Sequence, residues 1–140
     1  MRTNVFILAV CILAACSGES NAPLVATDVI VTRPLPGTQV SAGYLQLANN
    51  TPATITIDRV TSPDFGSVEM HESLLENGIA RMRALQAVSI PANQTIRFER
   101  GGKHLMLMQP GEDINVVTLQ FFSDNTLLLS IVVEPQTAVK

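Results

Sequence analysis

From Asp28 onward, apolar and polar residues alternate in short runs that turn residues interrupt. "DVIVTR" is followed by "PLPG", "AGYLQLAN" by "NTPA", and "TITIDRV" by "TSPDFG". "VEMHESLLE", "IARMRAL", "QAVSI", "TIRF", "KHLMLM", "INVVTLQFF" and "TLLLSIVVEP" complete the series. Val, Ile, Thr and Leu dominate these runs, and no stretch repeats its apolar residues at the helical period. The pattern predicts an all-β domain, a β-sandwich or small barrel, with no substantial helix.

One hairpin can be read residue by residue. Asn77-Gly78 suits a type I′ turn, which needs positive φ at both central positions. That loop sets Glu76 opposite Ile79, Ser73 opposite Met82, Glu72 opposite Arg83 and His71 opposite Ala84. Glu72 and Arg83 are then expected to form a cross-strand ion pair on the exposed face. Paired residues share a face and faces alternate along a strand, so His71 and Met82 point the same way as diagonal neighbours. "GGKHLMLM" continues the theme, because His104, Met106 and Met108 fall on one face of their run. Gly101 and Gly102 permit an irregular turn just before His104.

Both histidines and every methionine except Met1 therefore lie between Met70 and Met108. A methionine in an alternating strand is ordinarily core filler, and Met70 and Met108 fit that reading. The joint pattern weighs more: His71 shares a face with Met82, and His104 with Met106. Two neutral imidazoles and two thioethers form a soft donor set suited to Cu(I), whereas zinc favours thiolate, imidazole or carboxylate and calcium favours oxygen.

The amino-terminal segment changes the cysteine arithmetic. "MRTNVFILAVCILAAC" has one early positive charge and an apolar run too short to span a bilayer, the layout of a secretory signal. Leu13-Ala14-Ala15-Cys16 resembles the bacterial lipobox, which implies acylation of Cys16 and a membrane anchor. The expected organisation is a signal peptide over 1–15, a lipidated cysteine and flexible tether over 16–27, a β-domain over 28–135 and a short tail over 136–140. Ser17 is not the aspartate that commonly retains such proteins in the inner membrane, so the reading leans to a periplasm-facing outer-membrane lipoprotein. Cys11 departs with the signal and Cys16 is consumed by lipid. The domain thus has no thiol for a disulfide, a zinc site, a nucleophile or a blue-copper centre. A net charge of -3 with no long basic run gives no reason to propose nucleic acid as a partner.

The spacing of His71, ten residues, Met82, twenty-one residues, His104, one residue, Met106 resembles the signature of the periplasmic Cu(I) chaperones called the PCu(A)C family. "AGYLQLAN", "VEMHE", "RMRAL", "IPANQTIRF" and "GGKHLMLM" look like that family's blocks in order, over roughly Thr32 to Val133. The resemblance implies a cupredoxin-like Greek-key β-barrel; with no thiol and both histidines assigned, no nucleophile–base arrangement is evident and the chain is not expected to be an enzyme. It implies His71, Met82, His104 and Met106 as Cu(I) ligands, flanked by Met70 and Met108. It further implies delivery towards the binuclear copper centre of cytochrome c oxidase, alongside a Sco-type protein. Two features depart from the family: "QPGED" makes a brief connection after "HLMLM", and no His/Met-rich tail follows the domain. The alternative is a non-metal envelope β-sandwich that binds a protein or fills a structural role.

Overall fold

The computed structural model describes residues 22–112 and 114–137. The signal peptide, Cys16 and residues 17–21 of the expected tether lie outside these residues. Eleven strands and no helix make up the described chain: β1 Leu24–Val31, β2 Val40–Asn49, β3 Ile55–Ile57, β4 Arg59–Thr61, β5 Phe65–Glu76, β6 Ile79–Ala84, β7 Val88–Ile90, β8 Thr95–Phe98, β9 Lys103–Pro110, β10 Val117–Ser123 and β11 Thr126–Val133. The all-β architecture is the one the alternation predicts.

The larger sheet runs β1-β2-β9-β5-β6, with β8 also paired to β2. A second sheet runs β11-β10-β4, and β3 pairs with β7. Their inner faces supply one core: Leu45, Leu47, Leu105 and Leu107 from the larger sheet, Val117, Leu119 and Phe121 from β10, and Ile57 and Ile90 from the short pair. Each is at most 2% exposed, and burying side chains of this size stabilises by roughly 1.5–3 kcal/mol apiece before entropy is counted. Gly43 sits where β2 crosses closest to β9; a Cβ there would lie 3.1 Å from Leu105 Cβ and 3.3 Å from Leu107 Cδ1.

Three boundaries differ from the sequence reading. The tether was expected to reach residue 27, but β1 starts at Leu24, which is buried and pairs with Asn49, while Thr27 pairs with Gln46. Leu24 belongs to the core, so pairing prevails over the polar character of the preceding "SGESNAP". At the other end, Gln136 is not free tail. It bridges Thr32 in parallel, accepts from Arg33 N at 2.7 Å and donates its N–H to Val31 O at 2.8 Å. Finally, "TITIDRV" is two strands rather than one. Ile55–Ile57 pairs with β7, Arg59–Thr61 pairs with β10, and the chain changes partner at exposed Asp58, where the alternation slips by one position.

Candidate metal centre

The β5–β6 hairpin forms because Asn77 and Gly78 both take left-handed backbone, with φ of 52° and 79°. Its register is the one read from the turn: Ser73 faces Met82, Glu72 faces Arg83 and His71 faces Ala84. On its other edge β5 pairs with β9, and this pairing assembles the site. His71 lies directly opposite His104, Glu69 opposite Met106 and Ser67 opposite Met108. Since paired residues share a face, His71, Met82, His104, Met106 and Met108 all project from the outer face of the larger sheet. The two imidazole centroids are 6.0 Å apart with planes inclined at 46°.

The inner face explains why β9 is well fixed. Leu105 and Leu107, which alternate with His104, Met106 and Met108, are fully buried. Met70 pairs with Leu105 and is also buried in the core. It therefore faces away from the histidines, which corrects the expectation that it flanks them. Met108 continues the outer row, half-buried, opposite Ser67 on β5 and Val40 on β2.

Each imidazole has one nitrogen committed and one left over. The Gly102 carbonyl, which can only accept, lies 3.0 Å from His104 Nδ1, so Nδ1 carries the proton and Nε2 keeps its lone pair. The same carbonyl accepts the Ser73 N–H at 3.0 Å, tying the start of β9 to β5. Gly101, at φ 78°, makes the turn that aims this carbonyl. On His71, Nε2 is 2.8 Å from Glu69 Oε2, while Nδ1 is buried with no hydrogen-bond partner. A buried polar atom without a partner costs roughly 1–3 kcal/mol, and an ion held at that nitrogen would remove the penalty.

Exposure grades across the row. His104 is 8% exposed and Met82 55%, with His71 and Met106 between them. Met82, His104 and Met106 line one open, largely apolar cleft of about 550 Å³, together with Tyr44 and Arg100. The guanidinium of Arg100 stands 5.5 Å from the Tyr44 ring centroid. Neither residue was picked out from sequence. Tyr44 enters because Ala42 of β2 pairs with Met106 and Tyr44 is two positions further along the same face, a contact between distant segments that no local pattern encodes.

Beneath the hairpin, Glu72 joins three strands. Its carboxylate accepts from Arg83 Nη2 on β6 at 3.0 Å and from Lys103 Nζ on β9 at 3.0 Å. The lysine bond first and the arginine bond second hold its carboxyl below the usual carboxylate value. The predicted Glu72–Arg83 pair is present, but Glu72 is largely covered, with a side chain 16% exposed, and Lys103 is a partner the hairpin alone does not reveal.

The soft donors gathered on this face are imidazole and thioether, with the Glu69 carboxylate beside them taken up by His71 Nε2. Among the described residues no group of three or more His, Cys, Asp or Glu side chains is placed to hold a metal ion, so an oxygen- or thiolate-rich site is not built here. A neutral, soft set of this kind favours a monovalent soft cation.

Comparison with known proteins places this chain in a family. The family model described as "Putative lipoprotein LpqE-like" matches residues 24–129. The chain is similar to "Putative lipoprotein Lxx21020" of Leifsonia xyli, with 30% identity over 105 residues, covering 70% of this chain and 63% of that protein. It is also similar to "Uncharacterized protein RP573" of Rickettsia prowazekii, with 29% identity over 92 residues, covering 61% of this chain and 50% of that protein. The chain thus spans about half to three-fifths of the length of these curated relatives. Among solved structures, the copper-bound PCuAC domain from PmoF2 superposes with a TM-score of 0.62 at 17% identity, covering 85% of this chain and 95% of that one. The solution structure of apo-DR1885 from Deinococcus radiodurans gives a TM-score of 0.61 at 20% identity, covering 99% of this chain and 95% of that one. The fold is therefore the cupredoxin-like one of the PCuAC domains, as the sequence resemblance implies, and the chain belongs to the LpqE-like family.

Proposed function

We propose that this protein is a lipid-anchored copper chaperone of the bacterial envelope, binding one Cu(I) through His71, Met82, His104 and Met106. The observation that carries the reading is the convergence of the chain's two histidines with Met82 and Met106 on one sheet face, with His71 Nδ1 buried without a partner and the Gly102 carbonyl engaging His104 at Nδ1. A solved neighbour of the same fold is described as copper-bound, which supports the choice of metal. Copper is here the cargo. A carrier has to surrender it, and neutral thioethers hold a soft ion without the charge of a thiolate trap. Met82, 55% exposed on the edge strand, is the donor an incoming acceptor ligand would meet and replace first.

The destination is part of the proposal and rests on the family resemblance: the binuclear copper centre of cytochrome c oxidase, in company with a Sco-type protein. Acylation at Cys16, a periplasm-facing position and outer-membrane sorting belong to it as well, on the strength of "LAAC" followed by Ser17. Mass spectrometry of the protein extracted from separated membranes tests the anchor and the sorting together.

An anaerobic Cu(I) titration against a chromophoric competitor tests the site. One tight equivalent is expected in the parent, weakened in Met82→Leu and in Met106→Leu with the fold intact. A parent that retains no Cu(I), or variants that bind as well as the parent, would return these methionines to packing roles and favour a non-metal envelope module.

A further inference from the structure

Resting on that copper reading, we infer that Glu69 is a positioning residue that fixes His71 in the Nε2–H tautomer, so that the two histidines present different nitrogens to the ion: Nδ1 of His71 and Nε2 of His104. An ionised carboxylate accepts hydrogen bonds and cannot donate them. With Glu69 Oε2 at 2.8 Å, His71 Nε2 must carry the proton. The lone pair then falls on Nδ1, the buried atom that lacks any partner. His104 is set the opposite way by the Gly102 carbonyl at 3.0 Å from its Nδ1.

The two orienting groups differ in kind. Gly102 is backbone, tied down by the Ser73 N–H, and substitution cannot remove it. Glu69 is a side chain, half exposed, two residues from His71 on the same strand face and opposite Met106. It faces the metal row without being one of the soft donors. Its carboxylate also places a negative charge beside the imidazole that would share the positive charge of a bound cation. A ligating histidine ordinarily donates its other N–H to an acceptor of this sort, and loss of the acceptor typically lowers metal affinity by about 10–100-fold. Position 69 is therefore a place where the geometry of the histidine pair can be altered without touching a ligand or the core.

The test uses the full chain labelled with 15N-histidine, with Glu69→Leu, which removes the acceptor at similar size, and Glu69→Gln, which keeps an acceptor oxygen. Imidazole nitrogen shifts and their couplings to the ring protons are read in the metal-free protein, with the histidines neutral, and Cu(I) affinity is read by competition. The parent should show a protonated Nε2 and a bare Nδ1 on His71, with the reverse on His104. Glu69→Leu should lose the fixed tautomer of His71 alone and weaken Cu(I) binding about ten-fold or more. Glu69→Gln should restore much of both. A parent with Nδ1 of His71 protonated, or a Glu69→Leu variant whose His71 tautomer and affinity match the parent's, overturns the inference while leaving the copper site standing. A parent that binds no Cu(I) overturns the copper reading first, and with it the coordinating role given to Nδ1.

Discussion

Gly43→Ala isolates how tightly β9 is held. Gly43 is extended rather than left-handed, so alanine suits its backbone, and the substitution gains about 0.4–1 kcal/mol by restricting the unfolded chain. Against this stands the space available. The new Cβ would lie 3.1 Å from Leu105 Cβ and 3.3 Å from Leu107 Cδ1. The first is a stem atom fixed to β9, so it cannot rotate away, and β2 and β9 have to part by a few tenths of an ångström. Overpacking of a filled core costs typically 1–3 kcal/mol. The larger effect wins, leaving a net loss of about 1–2 kcal/mol, or a fall of about 4–8 °C in Tm for a domain of this size. Urea denaturation should show a lower midpoint with an unchanged slope, the sign of a stability change without a change in the surface exposed. Cu(I) affinity should fall as well, because Leu105 sits between His104 and Met106 and moves them when it moves. A midpoint equal to or above the parent's would show that β9 yields freely. The account of a rigid, core-backed β9 would then be wrong.

Two further outcomes are expected. Because the folded-state pKa of Glu72 is lowered from 4.5, its contribution to stability is complete above that value and is lost as the pH falls through the lowered one. Urea midpoints measured from neutral to acid pH should therefore drop less in Glu72→Gln than in the parent, and an identical drop would refute the role of the Arg83–Glu72–Lys103 clamp. Dilute peroxide applied to the metal-free protein should convert Met82, 55% exposed, to the sulfoxide well before Met70, 5% exposed. Peptide mass spectrometry reads the order, and early oxidation of Met70 would contradict its placement in the core.

The parts of the fold that were legible are those set by local rules. Each predicted run corresponds to strand, and the β5–β6 register follows from Asn77-Gly78 alone, since a two-residue turn leaves no freedom in the pairing. The union of His71 with His104 was not legible. These residues are joined by the β5–β9 ladder, whose register depends on which core residues meet Leu105 and Leu107, and no turn connects the two strands directly. Met70 is different: its reading as core filler holds, and the flanking role implied by the resemblance fails because Met70 adjoins His71 on one strand and period-two alternation sends it to the opposite face. The split of "TITIDRV" at Asp58 was likewise signalled by the slip in alternation before Val60. Leu24 was obscured by its polar neighbours, and only its pairing with Asn49 shows that the domain begins there.

The position of β6 carries a consequence for how the protein behaves in a crowded envelope. Among the described residues this strand is the outermost of its sheet, bonded only to β5, and all six of its residues are exposed. Its outer backbone groups offer a template on which another copy could add a strand, and an open thioether at Met82 would make that contact stickier. Arg81 and Arg83 bracket Met82, held in place by Glu76 at 3.2 Å and Glu72 at 3.0 Å. For another strand to align there, these charged side chains would have to give up their water and their partners. The arginines thus let the Met82 thioether remain open to solvent while the sheet stays closed to itself.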